Sequence, residues 1–332
     1  MATTLNPIDT TDRIRSTYLR YLKTIYPFQQ ESLRTAFWQA LEEPERLVKG
    51  PLLEAAPPYA HGRSIQELAD AGILHRSFQS LCSFALPWKR SLYLHQDQAI
   101  SKITEKQRNL VVATGTGSGK TEAFLIPIID HLLREEGVGT LSHSGVRALL
   151  LYPMNALAND QLKRLRQVLA KYPSITFGRY TGETETKDEE AEDRFYDQFP
   201  NEPRLPNELI SRNQMRKNPP HILLTNYAML EYLLMRPEDC EFFDDETGRH
   251  WRFVVLDEAH IYDGAIGIEL AMLLRRLKDR VVDGQEGRLR CIATSATLGG
   301  GIKDNPSAMA FAKNLFGETG LGHRFGQTSL EG

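Results

Sequence analysis

Cysteine is scarce in this chain. Cys82, Cys240 and Cys291 are scattered over 332 residues, and none stands in a C-x-x-C pair. An odd number without metal-ligand spacing excludes a disulfide framework and a zinc site built within the chain, and it fits a reducing compartment. Long apolar runs are missing too. The longest, such as Phe124 to Ile129, fall far short of the ~20 residues a membrane span needs, and no early stretch has the apolar core of a signal peptide. The expectation is a soluble, cytoplasmic protein with no membrane partner. A basic surplus is also absent, because 40 lysines and arginines face 43 acidic residues, a net charge of −3. Any contact with nucleic acid must come from a local lining rather than from the field of the whole molecule.

What is present is a glycine-rich turn between an apolar run, Asn109 to Ala113, and the helical run Glu122 to Glu136. A strand, the turn Thr114-Gly115-Thr116-Gly117-Ser118-Gly119-Lys120-Thr121 and a helix make a phosphate cradle. Its backbone N–H groups crowd around the anion, and the helix N-terminus adds partial positive charge. Thr116, Gly117, Ser118 and Gly119 would line the nucleotide. Lys120 would reach the β- and γ-phosphates, and the Thr121 hydroxyl would hold Mg²⁺. Thr114 stands where the G-x-x-x-x-G-K-[ST] pattern has glycine.

Two further features take meaning from that turn. Gln96 precedes Lys120 by some two dozen residues, and its amide suits the N6 and N7 edge of adenine, which makes ATP the expected nucleotide. Phe253 to Leu256 reads as a strand ending in Asp257-Glu258-Ala259-His260. A carboxylate at the C-terminal end of a buried parallel strand is placed to hold Mg²⁺, so Asp257 joins Thr121 as a metal candidate and Glu258 is placed to orient or deprotonate water.

Before Leu92 the chain reads as short helices without a chemical motif. Ile14, Tyr18, Leu22 and Ile25 share one helical face, Ser64 to Glu67 has the form of a capping box, and Gly72 is placed to end that helix. Lys49 and Arg63 read as solvated charges. After the turn, Pro127 is expected to bend its helix or confine the regular part. A strand from Val146 to Tyr152 leads to an amphipathic helix, Ala158 to Tyr172, whose Lys163, Arg164 and Arg166 read as an outer face. Ile175 to Tyr180 is a further strand. The seven carboxylates between Glu183 and Asp193 suggest an exposed, mobile insertion. A strand at His221 to Asn226 and a helix at Tyr227 to Met235 follow. Next come the helix Gly267 to Val282, the strand Leu289 to Ala293 running into Thr294-Ser295-Ala296-Thr297, and a helix around Ala308 to Phe316.

Taken in order, Thr114 to Thr121, Asp257 to His260 and Ser295-Ala296-Thr297 resemble motifs I, II and III of superfamily 2 helicases, with a DEAH form of motif II. Gln96 is similar to the Q-motif glutamine, Tyr152 to Gln161 to motif Ia, and Thr225-Asn226 to motif Ib. The resemblance spans about Leu92 to Phe316. It implies catalytic roles for Lys120, Asp257, Glu258 and His260, and coupling through Ser295 and Thr297. It also implies nucleic-acid contacts at Pro153, Met154, Asn155, Thr225 and Asn226. Met154-Asn155-Ala156 departs from the P-T-R-E-L-A form of RNA-acting DEAD-box proteins, which favours DNA over RNA. Tyr152 to Gln161 and Leu224 to Tyr227 look closest to large bacterial DNA helicases of the mitomycin-repair and defence-island (Druantia-like) kind. Repair or defence proteins would then be further partners.

The fold implied is an α/β, RecA-like P-loop NTPase domain, a doubly wound and mainly parallel sheet, with a helical N-terminal extension. The expected boundaries are 1–90 for a helical accessory region, 91–318 for the first RecA-like domain, and 319–332 for the start of a linker. Such helicases need a second RecA-like domain with a G-R-x-G-R arginine finger, and nothing after Leu298 supplies it. The chain therefore reads as the ATP-binding half of a motor, a piece of a longer protein. A nucleotide-gated DNA-binding scaffold is the alternative, whereas a metabolite kinase or transport ATPase leaves Gln96 and Ser295-Ala296-Thr297 unexplained.

Overall fold

A computed structural model describes residues 6–43, 46–47, 49, 58–81, 85–115, 117–296, 305–318 and 326–328. Contacts divide the chain into two units, Met1–Pro58 and Tyr59–Gly332. In the first, Asn6 caps α1 (Pro7–Ile25) by accepting from the Ile8 N–H, and proline at the first helical position loses no needed donor. Helix α2 (Glu31–Glu42) is tied to α1 by Lys23, which meets Glu42 at 2.5 Å and lies 4.8 Å over the Trp38 ring.

The second unit opens with β1 (His61–Ser64), α3 (Ile65–Asp70), α4 (Phe78–Leu81), β2 (Ser91–Tyr93) and α5 (Leu94–Thr104). Ser64 and Glu67 form the expected reciprocal cap, and Gly72 ends the segment at φ +76°. Only helices were expected here, yet β1 and β2 pair antiparallel. Arg63 is not a free surface charge, because its guanidinium grips the Asp97 carboxylate at 2.7 and 3.1 Å. The N–H of Arg63 also donates to Asp97.

The sheet is built from β3 (Leu110–Ala113), β4 (Ala148–Tyr152), β5 (Phe177–Arg179), β6 (Glu208–Leu209), β7 (Ile222–Asn226), β8 (Phe253–Leu256), β9 (Arg290–Ser295) and β10 (Gly326–Thr328). All eight are parallel, in the order β10-β3-β9-β8-β4-β7-β5-β6. The helices between them are α6 (Lys120–Gly137), α7 (Asn155–Leu169), α8 (Asp188–Gln198), α9 (Arg212–Lys217), α10 (Tyr227–Met235), α11 (Asp245–Gly248), α12 (Gly264–Val282) and α13 (Asn305–Phe316).

The strands are apolar throughout because both faces are covered. Side chains alternate, so Leu110 and Val112 pack with α5, α6 and α7, while Val111 and Ala113 pack with α10, α12 and α13. The same parity divides Leu150 and Val255 from Leu149 and Val254. Two cores thus clamp one sheet, and every loop that leaves a strand's C-terminal end emerges along one edge.

Three expectations are revised. Pro127 does not confine the regular part of its helix, because α6 continues through it, with Phe124, Ile128, Ile129 and Leu132 all buried. The acidic run is exposed at Asp188, Glu189, Glu190 and Asp193, as expected, but it is helical from Asp188, with Asp188, Glu189 and Glu190 at the positive end of α8. Its carboxylates have partners: Glu183 with Arg179, Glu185 with Arg194, Glu190 with Lys187 and Glu192 with Arg204. Finally, Arg166 is buried, joined to Glu208 at 2.7 Å and lying 4.5 Å over both the Phe195 and Phe199 rings. Arg164 reaches back to Glu122.

Among the described residues no helix is long and apolar enough to cross a membrane. Cys240 and Cys291 are free thiols, and burial pushes Cys291 up to about 12. Cys82 lies outside the described residues.

Candidate nucleotide site

Strand β3 delivers the chain to the glycine-rich turn, and α6 starts at Lys120. Gly117 and Gly119 hold φ of +75° and +73°, the left-handed region a side chain disfavours. A Cβ on Gly119 would also lie 2.4 Å from Gln96 Nε2. Thr114 explains its own departure from glycine, because its hydroxyl shares a 2.6 Å hydrogen bond with the Ser118 hydroxyl and closes the base of the loop. Lys120 is buried and donates to the carbonyls of Thr114 and Gly115 at 3.1 and 3.2 Å. Its charge is thereby held inside the curl of the turn. Thr116 lies outside the described residues.

Helix α5 braces this loop from behind. His95 donates from Nε2 to the Ser118 carbonyl at 2.9 Å, and burial keeps its pKa below the ordinary value. Gln96 is 2% exposed: its carbonyl accepts from the Tyr93 N–H at 2.8 Å and its amino group donates to the Gly119 carbonyl at 2.8 Å. The amide expected to meet adenine makes its hydrogen bonds inside the chain, its carbonyl with the Tyr93 N–H and its amino group with the backbone of the phosphate loop. Glu122 gathers Gln96, Arg90 and Arg164 around the first turn of α6, and the Gln161 amide reaches the Thr121 hydroxyl at 3.3 Å. Sequence reasoning missed His95, Glu122 and Gln161 as part of the site. The available signals were the adjacency of His95 to Gln96 and the position of Glu122 one residue past Thr121.

The acidic arm arrives on β8, two strands from β3 across β9. Asp257 is anchored by its N–H to the Leu151 carbonyl, and its Oδ1 accepts from the Thr294 hydroxyl of β9 and from the Glu258 N–H at 3.2 Å. Glu258 takes φ +49°, a conformation that costs a non-glycine residue ~1 kcal/mol or more. That turn leaves Glu258 Oε2 buried without a hydrogen bond, 3.4 Å from His260 Nδ1. His260 Nδ1 in turn lies 3.3 Å from the Ser295 hydroxyl. Thr294, which the sequence reading passed over, thus ties motif III to motif II. Thr297 lies outside the described residues.

A family model for the DEAD/DEAH box helicases matches residues 93–304. The chain belongs to the DEAD/DEAH box helicase family. It is 32% identical to the Druantia protein DruE of Escherichia coli (strain UMEA 4076-1), over 93% of this chain and 21% of that protein. The ATP-dependent helicase hrq1 of Schizosaccharomyces pombe is 28% identical over 69% of this chain and 19% of the relative. This helicase chain therefore spans about a fifth of the length of these relatives. In fold it resembles the DNA-bound DUF1998 helicase MrfA, with a TM-score of 0.58 and 24% identity, covering 82% of this chain and 29% of that one. The DEAD-box helicase Mss116 aligns with a TM-score of 0.55 and 19% identity, covering 79% and 45%. The sheet is accordingly RecA-like.

The helicase motifs expected at the rim share the edge with the nucleotide site but differ in access. Met154 is exposed, and Pro153, Asn155 and Asn226 are half-buried. Asn226 caps α10 through the Met229 N–H and donates to the Asn155 side chain at 2.9 Å, so motifs Ia and Ib are physically joined. Thr225 departs from expectation. It is fully buried and its hydroxyl donates to the Tyr180 carbonyl, because strand alternation turns it away from the edge.

Proposed function

We propose that this chain is the ATP-binding half of a DNA helicase or translocase, in which ATP hydrolysis drives movement along the nucleic acid. The observation that carries the reading is the convergence of three arms on neighbouring strand ends: the phosphate loop after β3, Asp257 and Glu258 after β8, and Ser295 closing β9. In this reading Lys120 and the loop amides bind the phosphates, and Glu258, whose inner oxygen has no hydrogen-bond partner, orients the attacking water. His260 and Ser295 link that centre to the rim where Met154, Asn155 and Asn226 would touch the DNA backbone.

Thr121 and Asp257 supply hydroxyl and carboxylate oxygens, the hard donors that Mg²⁺ prefers, and the fixed Asp257 Oδ1 fits a metal ligand. When bound, Mg²⁺ neutralises phosphate charge. Thr121 and Asp257 would hold the ion, with Gln161 and Thr294 orienting them.

DNA is favoured by the departure of Met154-Asn155-Ala156 from the RNA-acting form, and by the DNA in the MrfA complex. The likeness to DruE supports a place in defence, and the resemblance to mitomycin-repair helicases supports repair. The test is ATP turnover with and without DNA. Glu258→Gln should keep Mg·ATP binding and lose turnover. Unchanged turnover in Glu258→Gln, or equal stimulation by RNA and DNA, overturns the reading.

A further inference from the structure

Opposite the nucleotide edge, where the strands begin, lies a cavity of about 300 Å³ between α5, α6 and the starts of β8 and β9. Two arginines enter it from adjacent strands. Arg252 immediately precedes β8 and Arg290 opens β9, and the Arg290 N–H donates to the Arg252 carbonyl at 2.7 Å. Arg290 is 7% exposed, with its guanidinium on the Gly287 carbonyl and the Gln107 amide oxygen, both at 2.6 Å. Arg252 reaches only the Arg288 carbonyl, at 3.5 Å. Among the described residues neither has a carboxylate partner. A buried charge is ordinarily paired, so the buried Arg290, with the half-buried Arg252 beside it and no carboxylate at ion-pair distance, is an open demand for an anion. Burial is the main cause that holds the pKa of both below the ordinary arginine value; Arg288 adds repulsion at Arg252 and Arg252 adds it at Arg290, while Glu135 and Glu318 oppose the shifts from beyond ion-pair distance.

The remaining lining points the same way. Thr104 Oγ1 is buried there without a hydrogen-bond partner. Asp130 is already matched by Arg134 at 2.7 Å, and Glu105 is exposed, so neither offsets the arginine pair inside. Gln107, which orients Arg290, is held at φ +47°, a strained backbone at the rim. Arg252 and Asp257 sit at opposite ends of β8, roughly 16 Å apart along the strand, so this cavity is separate from the nucleotide site.

We propose that this cavity is a second anion site that takes the phosphate group of a small ligand, gripped by Arg252 and Arg290 with Thr104 as a hydroxyl donor. Guanidinium forks match tetrahedral phosphate oxygens in geometry as well as charge, and the volume admits a small phosphomonoester.

The experiment titrates inorganic phosphate, ribose 5-phosphate and acetate into the 332-residue chain carrying Lys120→Ala, which weakens phosphate binding at the loop. One phosphate site of submillimolar affinity is expected, weakened at least tenfold by Arg252→Gln, whose loss leaves the Arg290 contacts in place. Ribose 5-phosphate binding at least tenfold tighter than phosphate assigns the site to an organic phosphate, and equal affinities assign it to the free ion. On the same chain without the Arg252 change, phosphate should protect Arg252 from phenylglyoxal while the exposed Arg20 reacts unchanged. Equal titration curves with and without Arg252→Gln, acetate binding as tightly as phosphate, or labelling of Arg252 unaffected by phosphate overturns the proposal.

Discussion

Gly119 concentrates three demands on one residue: a left-handed φ, the start of α6, and a carbonyl that accepts from Gln96. Gly119→Ala should cost ~1–3 kcal/mol from backbone strain alone, and its Cβ would push the Gln96 amide off that carbonyl. Nucleotide affinity is expected to fall at least tenfold while the far-UV spectrum stays unchanged, and wild-type affinity in the variant would show the brace to be dispensable. His221 acts on stability instead. Its Nδ1 accepts from the Thr176 N–H at 3.0 Å, and burial, reinforced by Arg147, lowers its pKa to about 4. The unfolded chain takes up that proton near 6.5, so between the two values acid favours unfolding. The stabilisation is complete above pH 6.5 and is lost as pH falls to about 4, a change of up to ~3 kcal/mol. Urea titrations across that range should show this slope, and His221→Gln should remove its share.

At the scale of elements, α7 and β6 meet through a single buried ion pair. Burial raises the pKa of Glu208 although Arg166 opposes it, so the pair is held together against its own desolvation. Arg166→Ala strands that carboxylate and strips the guanidinium from the Phe195 and Phe199 rings. A loss of ~3–5 kcal/mol is expected. Replacing both partners, as Arg166→Met with Glu208→Leu, should recover most of it, since no unpaired buried charge remains and Glu202, the second carboxylate on Arg166, is exposed. A double variant as unstable as Arg166→Ala would mean that the ring contacts, not the charges, hold this corner.

For the molecule as a whole, the proposed reading gives the ground-state phosphates to Lys120, the loop amides and a Mg²⁺ that Thr121 and Asp257 would hold, but the departing group spreads further negative charge. An arginine finger meeting that charge contributes ~10³ to 10⁵ in rate in related phosphoryl-transfer enzymes. The described arginines near the loop are engaged at Glu122, Arg90 at 3.5 Å and Arg164 more closely. The chain should therefore bind Mg·ATP and turn it over slowly, with DNA-stimulated hydrolysis rising steeply when a second RecA-like domain is joined. Comparing ATPase rates of residues 1–332 alone and joined to that domain decides it, and equal rates refute the half-motor reading.

Much of this was legible in the order of residues. The helix Tyr227 to Met235 and the strand Phe253 to Leu256 were read to their terminal residues. Short contiguous apolar runs between turn residues carry their own boundaries, and a glycine-rich turn between strand and helix depends on local backbone geometry alone. The DEAH tetrapeptide followed for the same reason. Tertiary structure alone decided where the polar atoms went. Arg166 and Glu208 are 42 residues apart, and no helical periodicity reveals that an outer-face arginine has a buried partner. Strand β6 has two residues, too few for alternation to register, and β1 exists only because β2 lies beside it. Gln96 and Thr225 were correctly placed along the chain, yet their side chains answer to the carbonyls of Gly119 and Tyr180, which only folding brings within hydrogen-bonding distance. Local sequence determines which backbone forms, whereas the donor a buried atom meets is set by chain segments far away in sequence.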